Sequence, residues 1–321
     1  MRVLITGGGG FLGQKLARAL AARGQLRGEA ITALALADLA VPEAVAAPFP
    51  VEALAADIAE PGVAGALMAL KPDVIFHLAA VVSGGAEADF DLGMQVNLWG
   101  SWHLAEAARA LGTAPVLVFT SSVAVHGGLA PEVVTDGTAP NPQTSYGAAK
   151  AMVELLLTDM SRKGFLDARS LRLPSVTIRP GRPNAAASSF MSSIFREPLQ
   201  GQSANCPVGD DYPIWHSAPR TVVRNLIHGA EVAGEAFGPD RAVDLPGRTD
   251  AVGEMIEAMT RVAGPEPASR ITWDRDPGIE AIVTGWRGRF RPERALALGF
   301  AADRSFEDSV RWFLEDDIVR P

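Results

Sequence analysis

The chain has 321 residues, 48% of them hydrophobic, with 29 basic against 37 acidic side chains and a formal net charge of -8. That is ample material for one large core or two modest ones, and the acidic balance excludes a general nucleic-acid binder, whose affinity comes from Lys and Arg neutralising phosphates. A single cysteine, Cys206, excludes an internal disulfide and a cysteine-rich metal cluster, and fits the reducing cytoplasm.

At the start of the chain, Arg2 precedes only a short apolar run before Gly7, and Gln14, Lys15 and Arg18 interrupt the next stretch, so no export signal is expected. Residues 2–6 predict a strand that runs into Gly7, Gly10 and Gly13. A helix starts at Phe11, with Leu12, Leu16 and Leu20 on one face and Gly24 at its end. Backbone amides at such a helix start suit a pyrophosphate, although three glycines alone also make a plain structural turn. A second strand over 31–37 leads to Asp38. A carboxylate there accepts hydrogen bonds from adenosine ribose hydroxyls and repels a 2′-phosphate, which predicts NAD over NADP; a solvated strand-end Asp is the alternative. The Ala-rich stretch onward to Ala56 is broken by Pro42, Glu43, Pro48 and Pro50, so it lacks the ~20 continuous apolar residues of a membrane span.

Further strands are expected over 73–78, 116–120 and 170–178, alternating with helical patterns. This predicts an α/β fold, a Rossmann-type doubly wound parallel sheet. His77 and His126 read as structural, and no metal site is expected. Ser122 closes the fourth of these strands. Tyr146 and Lys150, four apart in a helical pattern that continues through Val153, Leu156 and Leu157, project from one face. An ammonium ~4 Å from a phenol, at an effective dielectric near ~20, contributes roughly 4 kcal/mol. Tyr146 is therefore expected to titrate near neutrality and act as a general base. Taken alone, Tyr-x-x-x-Lys is also an ordinary surface helix pair. After Pro180 the texture turns to Pro, Gly, Asn and Ser, with helical patches at 221–233 and 252–262. A boundary is expected there, dividing a dinucleotide-binding domain with the catalytic residues (1–180) from a smaller C-terminal α/β substrate lobe (181–321), some of whose segments return to the sheet.

The Gly-x-x-Gly-x-x-Gly turn from Thr6-Gly7 to Gly10-Phe11-Leu12-Gly13, then Ser122, then Tyr146-x-x-x-Lys150, resembles the extended branch of the short-chain dehydrogenase/reductase family. The resemblance spans nearly the whole chain, including Asn97, the run Leu298-Gly299-Phe300, and Phe306-Glu307-Asp308. It implies that Ser122, Tyr146 and Lys150 are catalytic, with Lys150 also holding the nicotinamide ribose. It further implies NAD contacts from Gly7, Gly10, Phe11, Leu12, Gly13 and Asp38, from Asp57 and Ile58 near the adenine, from Leu78, Ala79 and Ala80 beside the adenosine, and from Asn97 and Pro174. Family members pair through the helices corresponding to 97–111 and 146–161. Met152, Leu155, Leu156 and Met160 give the second of these more apolar surface than one sheet contact requires, so a homodimer is expected.

Many extended members act on nucleotide-diphosphate sugars and grip the diphosphate with an Arg-Asp-Tyr/Phe-apolar-His-Val stretch. Here the matching residues run from Asp211-Tyr212-Pro213 to Pro219-Arg220 without that first Arg, which favours a smaller acid, for which an Arg fork is well suited. Val81-Val82-Ser83-Gly84, Arg179-Pro180-Gly181-Arg182-Pro183-Asn184, Phe195-Arg196-Glu197-Pro198-Leu199 and 215–220 resemble the members that oxidise C2 of a four-carbon sugar acid, D-erythronate, with NAD. By that resemblance Ser83, Asn184, His216 and Arg220 join Ser122 and Tyr146 in the substrate pocket. Arg220 is the first choice for the carboxylate, with Arg182 and Arg196 behind it. The expected product is a 2-oxo acid. Two alternatives stand beside it: a nucleotide-sugar epimerase or dehydratase (or a uronate dehydrogenase), and a non-catalytic dinucleotide sensor. A dehydratase would carry an acid pair where Val123-Ala124 stand, and a sensor typically lacks the Tyr or the Lys.

Overall fold

The computed structural model describes residues 1–181, 187–283 and 285–318. Its strands are β1 (Arg2–Thr6), β2 (Ala33–Asp38), β3 (Val51–Ala55), β4 (Val74–His77), β5 (Val116–Ser122), β6 (Asp167–Leu173), β7 (Ser175–Val176), β8 (Pro213–Ser217), β9 (Ala242–Asp244) and β10 (Arg248–Ala251). The principal helices are α1 (Phe11–Arg23), α2 (Ser101–Ala110), α3 (Ser145–Arg162), α4 (Phe190–Leu199), α5 (Pro219–Glu231), α6 (Val252–Ala263) and α7 (Phe306–Asp316).

Seven parallel strands form the main sheet in the order β9-β6-β5-β4-β1-β2-β3. The order reverses between β1 and β4, and a doubly wound sheet opens a ligand crevice at the carboxyl ends of the strands flanking such a reversal. Helices cover both faces. On one, Leu16 and Leu20 of α1 meet Val222 and Leu226 of α5. On the other, Leu104 and Ala105 of α2 meet Val153 and Leu157 of α3. The apolar spacing of α1 buries Leu16 and Leu20 completely, and Gly24 ends the helix in the left-handed conformation, its N–H bonded to Leu20 O.

Two strands of this sheet escape the sequence pattern. Residues 51–55 become an edge strand by pairing with β2, and the three residues of β9 come from the second half of the chain to pair with β6. Of the chain beyond residue 180, β9 and α5 belong to the layered sheet. The strand expected over 170–178 is in fact two. It stops at Leu173 because Pro174 has no N–H for a ladder, and β7 joins a separate sheet, β7-β8-β10. That small sheet and helices α4, α6 and α7 enclose a second core around Phe195, Met255, Met259, Phe306 and Phe313.

The glycine turn after β1 is held by close approach. Gly7 has φ 73°, and a Cβ there would lie 2.6 Å from the backbone nitrogen of Ala79, on the neighbouring strand's exit loop. A Cβ on Gly13 would collide with the Gly7 carbonyl oxygen. Gly7→Ala should destabilise the fold by on the order of 2 kcal/mol, lowering the melting temperature by several degrees and impairing NADH binding as read by fluorescence. Unchanged melting and unchanged NADH affinity would contradict this geometry.

Candidate active site

A cavity of about 380 Å³ opens over the carboxyl ends of β1, β4 and β5. Gly7, Gly10, Phe11, Leu12 and Gly13 form one wall, together with Leu78 and Ala80 after β4. Gly10 caps α1 with no side chain of its own, and the space a Cβ would take there is bounded only by the Gly7 carbonyl oxygen at 3.3 Å. Asp38, at the tip of β2, is aimed at this turn. Its Oδ2 accepts from Gly9 N at 2.9 Å and its Oδ1 from Leu39 N at 2.7 Å. Each oxygen keeps a further lone pair for a diol.

The other expected cofactor residues have mixed placements. Asp57 follows β3, and its Oδ1 accepts from Ala59 N at 2.9 Å. The Ile58 side chain is buried against Gly100, so only its backbone is left to meet an adenine. Ala79 supplies the backbone on which Gly7 packs. Asn97 is engaged by the chain itself. It is buried within a π-helical turn (Gln95–Gly100), with Oδ1 accepting from Val81 N at 2.8 Å and Nδ2 donating to Val81 O at 3.0 Å. These two bonds hold the loop before Ser83.

Ser122, Tyr146, Lys150, Pro174 and Ser83 all line the cavity. Thr144 caps α3, its side chain accepting from Gly147 N, which fixes Tyr146 and Lys150 in the first turns of the helix. Lys150 is 1% exposed. Its Nζ donates to Thr120 O at 2.7 Å and lies 4.5 Å from the Phe119 ring centre and 5.6 Å from that of Tyr146. Burial pulls this amine down to about 7, with Glu154 working the other way. Burial pushes the Tyr146 phenol up to about 12, against a hydrogen bond to Ser122 and the Arg179 charge, both of which lower it. The expectation of a near-neutral tyrosine is thus corrected. Lys150 is itself desolvated and tied to the Thr120 carbonyl, so it does not offset the burial of the phenol.

On the substrate side, three expectations are corrected and two lie outside the described residues. His216 does not line the cavity, although Pro213, Ile214 and Trp215 before it on β8 do. The His216 ring is buried, with Nε2 2.8 Å from Asp250 Oδ2 and its edge on Phe306. Arg220, in the first turn of α5, donates to Asp316 at 2.5 and 2.9 Å and to Glu315 at 2.8 Å, in a groove between α1 and α5 separate from the cavity. Arg196 is likewise engaged, pairing with Glu197 and donating to Arg179 O at 3.1 Å. Asn184 and Arg182 lie outside the described residues. Two arginines to which the sequence pattern assigns no role do line the cavity. Arg287 is consumed by the carbonyls of Gly128, Ala130, Pro131 and Gly285. Arg179, just beyond β7, donates to Ser188 O at 3.0 Å and makes a long 3.4 Å contact with Ser192 Oγ.

A doubly wound parallel sheet with a glycine turn at its switch point, and Ser, Tyr and Lys converging beside it, defines a dinucleotide-dependent enzyme class. Residues 3–234 match the model of the NAD dependent epimerase/dehydratase family. D-erythronate dehydrogenase of Cupriavidus necator is 52% identical over 320 residues, covering 98% of each chain, and that of Haemophilus influenzae is 41% identical over 318 residues, covering 99% and 100%. A crystal structure described as the nucleoside-diphosphate-sugar epimerase from Agrobacterium tumefaciens superposes with a TM-score of 0.95 at 45% identity, over 99% of this chain and 94% of that one. The chain belongs to the NAD-dependent epimerase/dehydratase family, and NAD is its cofactor. The residues present fit that group. The open side of Gly10 admits a pyrophosphate to the start of α1, and Asp38 is held where a ribose diol would meet it.

The buried amine has a measurable consequence for stability. Lys150 titrates at about 7 in the folded protein against 10.5 ordinarily, so between these values the unfolded chain holds more protons. The penalty is complete below about pH 7 and is relieved as pH rises toward 10.5. Lys150→Met should therefore raise the melting temperature of the NAD-free protein at pH 6, with the difference from the parent shrinking toward pH 10. A difference independent of pH would refute this.

Proposed function

We propose that the protein is an NAD-dependent dehydrogenase that oxidises the C2 hydroxyl of a small sugar acid, D-erythronate or a close analogue, to the 2-oxo acid. The observation that carries this reading is the near full-length similarity to two D-erythronate dehydrogenases, 52% and 41% identical. The lobe supports it. The stretch from Asp211 to Arg220 lacks the leading Arg of the diphosphate grip.

In this reading Tyr146 acts as its phenolate and takes the proton of the C2 hydroxyl, and the Ser122 hydroxyl steadies the same substrate oxygen as it becomes a carbonyl. Bound NAD supplies the two-electron acceptor for the hydrogen on C2. Lys150, held on the Thr120 carbonyl, keeps a polar group under the phenol and in reach of a ribose. Because burial holds Tyr146 near 12, oxidation should quicken as the medium becomes more alkaline.

The second reading, a nucleotide-sugar epimerase, is favoured by the description of the Agrobacterium relative. A panel of four- to six-carbon aldonates and uronates, followed by NADH absorbance, separates the two. D-erythronate should reduce NAD, and Tyr146→Phe should lose nearly all turnover while keeping NADH affinity. If uridine or thymidine diphosphate raises the melting temperature and no free acid is oxidised, the dehydrogenase reading fails.

We also propose a cytoplasmic homodimer. A lone buried thiol, Cys206, suits a reducing compartment. Trp99 and Leu155 are 53% and 74% exposed, and Trp102 and Met152 beside them on α2 and α3 are also exposed, leaving an apolar face with no cover in the single chain. Met160 and Leu156 belong instead to the chain's own core. Light scattering should give twice the 33.7 kDa chain mass; a monomer at working concentration would refute the dimer.

A further inference from the structure

We infer that Arg179 is the residue that binds the substrate carboxylate, and so selects acids over neutral polyols. This rests on the dehydrogenase reading. The buried arginines among the described residues each have an acid within ion-pair distance: Arg169 has Asp167, Arg172 has Glu154 and Asp244, and Arg196 has Glu197. Arg179 pairs with no carboxylate among the described residues, and its partners are a carbonyl and a hydroxyl. It is partly buried, beside the Arg196 guanidinium, which repels it. A cation placed so is costly to hold without an anion, and an incoming carboxylate offsets that cost with charge-assisted, two-pronged hydrogen bonds.

Position gives the specificity. Arg179 lines the same cavity as Ser122 and Tyr146, and it is near enough to Tyr146 for each charge to affect the other. In a 2-hydroxy acid the carboxylate carbon is bonded directly to the reacting carbon. The cation that holds it must therefore stand beside the base, not at the far end of the lobe. Among the described residues, Arg287 and Arg220 fail this condition: Arg287 is occupied by backbone carbonyls, and Arg220 faces a different groove.

The test compares D-erythronate with its uncharged amide in the NAD-loaded parent enzyme and in Arg179→Met, Arg179→Lys and Arg220→Ala. Arg179→Met should raise KM for D-erythronate about 100-fold or more, leave KM for NAD within about twofold, and erase the preference for acid over amide. Arg179→Lys should recover part of that preference, since charge is kept and the fork is lost. Arg220→Ala should behave like the parent. Retained NADH binding shows that each variant is folded. If the parent oxidises D-erythronate and Arg179→Met keeps both KM and acid preference, the assignment of Arg179 is overturned while the dehydrogenase reading stands. If the parent neither binds nor oxidises a free sugar acid, the dehydrogenase reading falls and this inference falls with it.

Discussion

The site depends on a chain of buried charges behind it. Arg172 on β6 donates to both oxygens of Glu154 on α3, at 2.7 and 2.9 Å, and reaches Asp244 on β9 at 3.3 Å. Ser121 Oγ donates to Glu154 at 2.5 Å, and His126 Nε2 lies 2.9 Å from Asp244. Burial disfavours the Arg172 charge, but Glu154 and Asp244 more than offset it and hold the guanidinium protonated well above its ordinary range. Removing one member of such a network strands the others, at a cost of about 3–5 kcal/mol for a buried pair. These contacts tie the helix bearing Tyr146 and Lys150 to the strand bearing Ser122, and draw in a strand from the chain's second half. The placement of Ser122, Tyr146 and Lys150 thus rests on a network whose charged members Arg172, Glu154 and Asp244 lie behind the cavity lining.

That rigidity separates position from protonation. Glu154 stands one turn beyond Lys150 and favours its charge, yet burial still brings the amine to about 7 while the phenol stands near 12. The protein alone thus does not bring its base to neutrality. Tyr146 is lowered by a hydrogen bond from Ser122 and by the Arg179 charge, and further cationic charge must come from what binds.

How much of the fold and site is legible in the sequence depends on the range over which each feature is decided. Tyr146, Lys150 and the glycine turn are set within one helix or one turn, so spacing alone locates them. The edge strand over 51–55, with Ala and Glu among its residues, carries little strand propensity and exists through its pairing with β2. β9 is only three residues long and is a strand because β6 is there. Arg220 and Arg179 show the same limit at the site. Nothing local distinguishes them; the outcome is set by Glu315 and Asp316, about ninety-five residues beyond Arg220, and by the absence of any comparable acid beside Arg179 among the described residues. His216 is misplaced because its imidazole is taken by Asp250 on the neighbouring strand β10, a pairing that spacing along β8 does not reveal. The near-neutral expectation for Tyr146 fails because spacing reveals the neighbouring charge and not the burial shared by both groups.

The net charge sharpens the significance of one unpaired cation. A protein at -8 repels an anionic substrate at long range, but salt screens that repulsion beyond about 8 Å at physiological ionic strength. Discrimination between an acid and a neutral polyol is therefore left to the last few ångströms, inside a cavity where the dielectric is low and a fixed charge acts strongly. Of the two arginines lining the cavity among the described residues, Arg287 is held by carbonyls and Arg179 has only a carbonyl and a hydroxyl as partners. An acidic protein that recognises a small acid needs one local positive charge that its own carboxylates do not neutralise, and the chain's abundance of Asp and Glu makes such a position hard to retain by chance.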